Sequence, residues 1–159
     1  MNIRIICLGK IKEDSLKNLI DEYKKRISKY ANIEIIELAD ESIPENCSSK
    51  EMEHIKELEG QKILKQIKPS DYVISLDLKG KELTSEEFSD TLFQIPVKGF
   101  STIDFVIGGS LGIDAQIVAN SNLVLSFSKL TFPHQLFRVF LLEQIFRAYK
   151  IMNHEKYHL

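Results

Sequence analysis

The chain has little of what usually announces a function. It has two cysteines in 159 residues, too few for the disulfide framework of a small secreted protein, although one disulfide is possible on count alone. Cys7 falls in an apolar run and Cys47 in a polar one, contexts that predict reduced thiols in a cytosolic protein. Neither has another cysteine near it for a zinc site. No apolar run approaches the roughly 20 residues of a bilayer span, so no membrane partner is expected. The opening MNIRIICLGK has no basic stretch before its apolar core and no small-residue cleavage site; it reads as a first strand, not a signal peptide. Basic charge is not in excess either. The net charge is −2 and the pI about 6.1, so composition does not announce nucleic-acid binding, although a local patch can act within a neutral total.

The glycine motifs of nucleotide sites are also missing. CLGKIKED near the start carries a single glycine, and no G-x-G-x-x-G or G-x-x-x-x-G-K-[ST] occurs. There is no nucleophile elbow and no Ser-His-Asp order. His, Asp and Glu gather nowhere at metal-ligand spacing, so no metal is expected.

What is present is alternation. IRIICLG reads as a buried strand, and SLKNLIDEYKKRISKY as a helix with Leu16, Leu19, Ile20, Tyr23 and Ile27 on one side. NIEIIELAD is a second strand. After the turn-rich IPENCSS, Ser48 or Ser49 can cap the helix KEMEHIKELEGQKILKQI, in which Gly60 costs about 1 kcal/mol against alanine. Pro69 and Ser70 are expected to end that helix. DYVISLDLKGK is a third strand closing in a Lys-Gly turn. TSEEFSDTLFQI is a helix capped by Thr84 or Ser85, with Pro96 and Gly99 terminating it. STIDFVIGGS, DAQIVANS and LVLSFS follow as strand, helix and strand. PHQLFRVFLLEQIFRAYKIM is the last helix, with Pro133 at its first position. Strands alternating with helices predict an α/β protein, a mainly parallel five-stranded sheet with helices on both faces. No linker or repeat divides residues 1–159, which read as one domain.

Ligands of open α/β sheets bind beyond the carboxyl ends of strands. Three such ends stand out: ISLDLKG, FVIGGSLGID and LSFSKLTFPHQ. The glycines of the second read equally as a tight turn or as a ligand loop. The third has no glycine, but a rigid loop can offer main-chain N–H and C=O groups to a planar ligand such as adenine. His134 near a helix start reads first as a structural hydrogen-bonding residue and second as a catalyst. The last helix is apolar nearly all round, which predicts burial on more than one side and a dimer interface. Arg138 and Arg147 would stand at or beside it, as ion-paired groups or as phosphate contacts. Basic residues and three of the four histidines collect from Lys129 onward. His154 and His158 are four apart, a spacing that could ligate a metal on a helix, but the segment is the extreme end and is expected to fray or fold on a partner.

FVIGGSLG, then LSFSKLTFPHQLFRVFLLEQIFRAYKI and a terminal YH, closely resemble the RlmH-type (YbeA) methyltransferases of the SPOUT superfamily. The resemblance runs from IICLGK to KYHL and includes PEN at Pro44 and EG at Glu59–Gly60. It implies a deep trefoil knot in the C-terminal part, about residues 103–150, a rare exception to the rules of chain connection. It implies a homodimer that binds S-adenosylmethionine and methylates N3 of a pseudouridine in a stem-loop of 23S ribosomal RNA, on the assembled ribosome. Carried over, the cofactor site falls on Leu76, Gly108, Phe127, Ser128, Lys129, Leu130, Thr131 and Phe132. The glycine of position 108 would let the backbone approach the cofactor. The family's glycine loop often has a polar residue where this chain has Leu111, which removes a side-chain role there. His134, Tyr157 and His158 are the expected positioning or proton-transfer groups; Arg147, and less so Arg138, are expected to hold RNA phosphate or stabilise developing charge. The KYHL tail of one subunit is expected to complete the site of the other. The rival readings are a SPOUT methyltransferase acting on transfer RNA and a non-enzymatic ribosome-assembly factor.

Overall fold

A computed structural model describes residues 1–159. Strands and helices alternate without exception: β1 (Asn2–Leu8), α1 (Asp14–Ile27), β2 (Asn32–Leu38), α2 (Ser49–Leu64), β3 (Tyr72–Glu82), α3 (Ser85–Val97), β4 (Thr102–Ile107), α4 (Ala115–Ala119), β5 (Leu123–Ser126) and α5 (His134–Met152). The five strands form one sheet in the order β2-β1-β4-β3-β5, and each pair is parallel. The expected architecture is therefore present, and the sheet is wholly rather than mainly parallel.

Side chains alternate across each strand, so each face has its own core. Ile3, Ile5 and Cys7 of β1, with Ile103, Phe105 and Ile107 of β4, pack under α1, α3 and α5. Ile6, Leu8, Val73 and Val106 point the other way, toward Ile63 of α2 and Ile117 of α4. Strands buried on both faces read as continuous apolar runs, which is why IRIICL carries only one charge.

The all-round apolarity of α5 has a cause within the chain. The helix lies on the sheet between α1 and α3 and buries Val139, Leu141, Leu142, Ile145 and Phe146 among them. Phe140 is left 37% exposed, near Phe132, with Leu130 at 71% in the preceding loop. This short strip, at the start of α5 and in the loop before it, remains open to a further partner. No helix is long and apolar enough to cross a membrane.

Several boundaries differ from the expectation, each for a local reason. Helix α2 stops at Leu64, before Pro69, because Lys65 already closes the last turn through its N–H to Gln61 and Ile63 carbonyls. Helix α3 runs through Pro96 to Val97 and is closed by Lys98; a proline in a last turn removes only one bond from the ladder. Its start is the capping box of Thr84 and Glu87. Pro133 is the residue before α5, extended at φ −56°, ψ 128°, rather than its first helical residue. Strand β3 does not end at Lys-Gly. It pairs with β5 from Ile74 to Leu76 and again at Lys81 and Glu82, so that Asp77–Gly80 bulges out of register.

Arg138 seats α5. It is fully buried. One Nη donates to Glu37 at 2.8 Å; the other donates to the carbonyls of Leu8 and Gly9 at 2.7 and 2.8 Å. It is therefore not a phosphate contact. A second buried charge group sits at the opposite, amino end of the sheet, where Arg4 Nε lies 3.3 Å from Asp104 and its Nη1 3.6 Å from Asp71. Burial pushes the Asp104 carboxyl up to about 7, with Asp71 adding to the rise and Arg4 opposing it.

Two predictions follow from these buried charges. Arg138→Met strands Glu37 and two carbonyls and is expected to cost about 3 kcal/mol in urea unfolding; a loss near zero would show that the fork does not seat α5. Asp104 holds its proton in the folded chain above the ordinary 3.8, so its contribution is complete below that value and is lost as pH rises through about 7. Asp104→Asn is expected to flatten that decline and to be the more stable form near pH 8. Parallel pH profiles for the two proteins would contradict it.

Candidate functional site

Beyond the carboxyl ends of β3, β4 and β5 lies a cavity of about 470 Å³, within the range of small-molecule sites. Three segments build it. Leu76, Asp77 and Lys79 come from the end of β3 and its bulge. The turn from Gly108 to Ile113 comes from β4. The loop from Phe127 to Phe132, without Lys129, comes from β5. His134 and Phe137 of α5 and Lys56 of α2 complete the lining.

The third segment is open in its main chain. Ser126 Oγ donates to the Ser128 carbonyl, and the Leu130 N–H is taken by Ser128 Oγ at 3.0 Å. The N–H groups of Ser128, Lys129, Thr131 and Phe132 bond nothing in the chain. Ser128, Thr131 and Phe132 line the cavity, so the loop offers free main-chain donors beside it. Phe127 lies 4.9 Å from Phe137 and Phe132 stacks on Phe137 at 6.1 Å, which gives the loop a fixed apolar backing.

The glycine turn closes on itself. The Gly112 N–H bonds the Gly109 carbonyl at 3.1 Å. A Cβ at Gly108 would stand 2.6 Å from the carbonyl carbon of Gly112. Gly108 is therefore required by the turn's own backbone, and the two readings of GGSLG coincide: it is a tight turn and it lines the cavity.

His134 is half-buried on the cavity wall, and its buried Nδ1 has no partner. Burial, then the Arg138 charge, hold its pKa below the usual histidine value, with Asp40 opposing. The ring is therefore neutral at neutral pH.

Arg147, Tyr157 and His158 do not line this cavity. They form a separate cluster on Glu143. Arg147 donates to Glu143 Oε1 through Nε and Nη2, at 3.0 and 2.6 Å. The Tyr157 hydroxyl donates to the same oxygen at 3.1 Å, and the guanidinium lies 4.7 Å from the Tyr157 ring centroid. His158 links Arg147, at 3.1 Å, to Glu86, at 2.8 Å. Burial and Glu143 push the Tyr157 hydroxyl up to about 12. The tail does not fray: Glu155 pairs with Lys150 and Tyr30, and Tyr157 packs edge-on to Phe146. Helix α5 ends before His154, which turns at φ 53°, so His154 and His158 share no helix face.

A smaller hollow, about 370 Å³, joins the two clusters. It shares Leu125, Ser126, Phe127 and Phe132 with the first cavity and reaches Glu143 and Gln144 of α5. Phe127 and Phe132 thus form a partition, with His134 on one side and the Arg147 cluster toward the other. Sequence reading missed Glu143, whose signal was its i, i+4 spacing to Arg147. It also missed Lys56 and Lys79, which carry no signal beyond charge.

Comparison with known proteins gives the family. The family described as "Predicted SPOUT methyltransferase" matches residues 1–158. Proteins named "Ribosomal RNA large subunit methyltransferase H" from Clostridium botulinum (strain Hall) are 60% identical over 158 residues, 99% of each chain. One of the same name from Clostridium acetobutylicum is 56% identical with the same coverage. Among solved structures, "a probable methylase family protein" from Haemophilus influenzae Rd KW20 superposes with a TM-score of 0.54 at 11% identity, over 99% of this chain and 70% of that one, a likeness of fold. With a match across nearly its whole length, the chain belongs to the SPOUT methyltransferase family.

Proposed function

We propose that this methyltransferase acts on 23S ribosomal RNA, transferring a methyl group from S-adenosylmethionine to N3 of a pseudouridine in a stem-loop of the assembled ribosome. It does so as a cytoplasmic homodimer whose C-terminal part, about residues 103–150, is threaded as a trefoil knot. The observation that carries the reading is the set of free main-chain donors at Ser128, Thr131 and Phe132 beside the glycine turn, in a chain 60% identical to proteins named for that class of substrate. The strip of Leu130, Phe132 and Phe140 supports the dimer.

The residues fit the cofactor. Main-chain groups of Phe127–Phe132 would hold the adenine edge, Leu76 and Phe137 its faces, and the glycine turn the remainder. Bound there, S-adenosylmethionine supplies an electrophilic methyl on a sulfonium. The chain must align the acceptor nitrogen and take its proton, because a protonated ring nitrogen is a poor nucleophile. Neutral His134, on the cavity wall, is the side chain suited to accept it. Tyr157, with its raised pKa, is a donor at neutral pH rather than a base. Arg147, Tyr157 and His158 hold RNA or its developing charge. They lie toward the far side of the phenylalanine partition from the cavity of their own protomer, which supports a tail that completes the partner's site.

Incubation with labelled S-adenosylmethionine and ribosomes, followed by mapping of the modified nucleotide, tests the reading. Label on transfer RNA instead would replace the substrate; cofactor-free ribosome binding without transfer would make the chain an assembly factor. A slightly acidic chain has little basic surface for naked RNA, so an isolated stem-loop is expected to be a poor substrate, and equal rates on both would refute that point. His134→Gln is expected to lower kcat about 10²-fold and to remove the rise in rate with pH that lies below the usual histidine pKa. Removing Tyr157 to Leu159 is expected to abolish transfer while cofactor affinity persists; a fully active truncation would exclude a role for the tail.

A further inference from the structure

Helix α2 meets the glycine turn at one dipeptide, Glu59–Gly60. Both residues are buried, Glu59 to 4% exposure, in a helix that is otherwise largely charged and solvated. Gly60 admits the far end of the turn: a Cβ there would lie 2.8 Å from both Cβ and Oδ2 of Asp114. Glu59 meets the near end. A side chain at Gly109 would find Glu59 Oε2 at 3.2 Å and Oε1 at 3.4 Å as its closest atoms.

The two carboxylate oxygens differ. Oε1 accepts the Glu41 N–H at 3.1 Å. Oε2 is buried and bonds nothing. The one cation nearby, Lys62, is taken by Glu41 at 2.7 Å and by the Ala39 carbonyl at 2.8 Å. A buried acceptor left bare is costly, and neither the packing of α2 nor the Glu41 bond needs an acid here, since a glutamine would serve both. On the facing turn Gly109 pairs with Gly112 in an antiparallel bridge, in which only the Gly112 N–H makes a full hydrogen bond, and the Ser110 N–H bonds nothing within the chain. An unused buried acceptor thus lies against the turn at Gly109, across a contact that glycine alone keeps open.

We infer that Glu59 is the positioning residue of the glycine turn: its free Oε2 takes a main-chain N–H of Gly109 or Ser110 when the adjoining cavity is filled, fixing the turn against the ligand. The inference rests on the reading of that cavity as the S-adenosylmethionine site. Glu59 does not line the cavity, so it acts through the turn and touches no reacting atom.

Calorimetric titration of the full chain with S-adenosylmethionine separates the outcomes. The parent protein binding while Glu59→Gln binds on the order of tenfold more weakly, with a melting temperature within about 2 °C and kcat regained at saturating cofactor, supports the assignment. Equal affinities overturn it, as does a loss of affinity that only accompanies a loss of melting temperature. A parent that binds no S-adenosylmethionine removes the reading of the cavity, and the inference with it. A second measurement needs no variant. The amide protons of Gly109 and Ser110, followed by NMR in the parent protein, are expected to show slowed exchange for at least one of the two when the cofactor is added; unchanged exchange at both overturns the assignment.

Discussion

A single guanidinium sets where the last helix can lie. Arg138 is fully buried, and its donors go to a carboxylate on β2 and to two carbonyls at the end of β1. An arginine fork is rigid and planar, so three fixed acceptors define both the depth and the rotation of α5. One turn earlier on that helix stands His134, and one and two turns later Leu142 and Ile145 enter the core between α1 and α3. The same charge lowers the affinity of His134 for a proton. Burial first, and this charge second, hold the imidazole neutral at the cavity wall. Phe137, the neighbour of Arg138, is held in turn against Phe127 and Phe132, so the open loop inherits its position from the same anchor.

The partition of Phe127 and Phe132 then divides the chemistry. On the cavity side the polar groups include free backbone N–H groups of the loop beside the side chains of Lys56, Asp77, Lys79 and His134. Toward the other side they are side chains, gathered on one oxygen of Glu143, which takes Arg147 twice and Tyr157 once. Main-chain donors are fixed in direction and have no titration of their own, which suits a cofactor whose pose must not vary. Long side chains can rearrange, which suits a large and irregular RNA. The polarity of the two regions thus agrees with the division of labour in a group-transfer enzyme.

Much of the fold was legible from strand and helix alternation, because strands buried on both faces write themselves as apolar runs. Boundaries were less so. The bulge at Asp77–Gly80 depends on a register shift against β5, and α3 passes Pro96 because its last turn has other donors to use; neither is a property of the local sequence. The apolar surface of α5 predicted burial on several sides, but not that α1 and α3 would supply most of the cover. At the site, seven of the eight residues assigned by resemblance to the cofactor line one cavity, and Lys129 points elsewhere on the surface. Arg138 could be read as a phosphate contact only while its burial was unknown. The proposed recognition surface was the hardest part to see. Its donors are peptide N–H groups, and every residue but proline has one. Composition and motif report side chains, so a loop that binds through its backbone leaves no mark except the rigidity of what surrounds it. Here that rigidity comes from phenylalanines 127, 132 and 137, which in the sequence are indistinguishable from ordinary core residues.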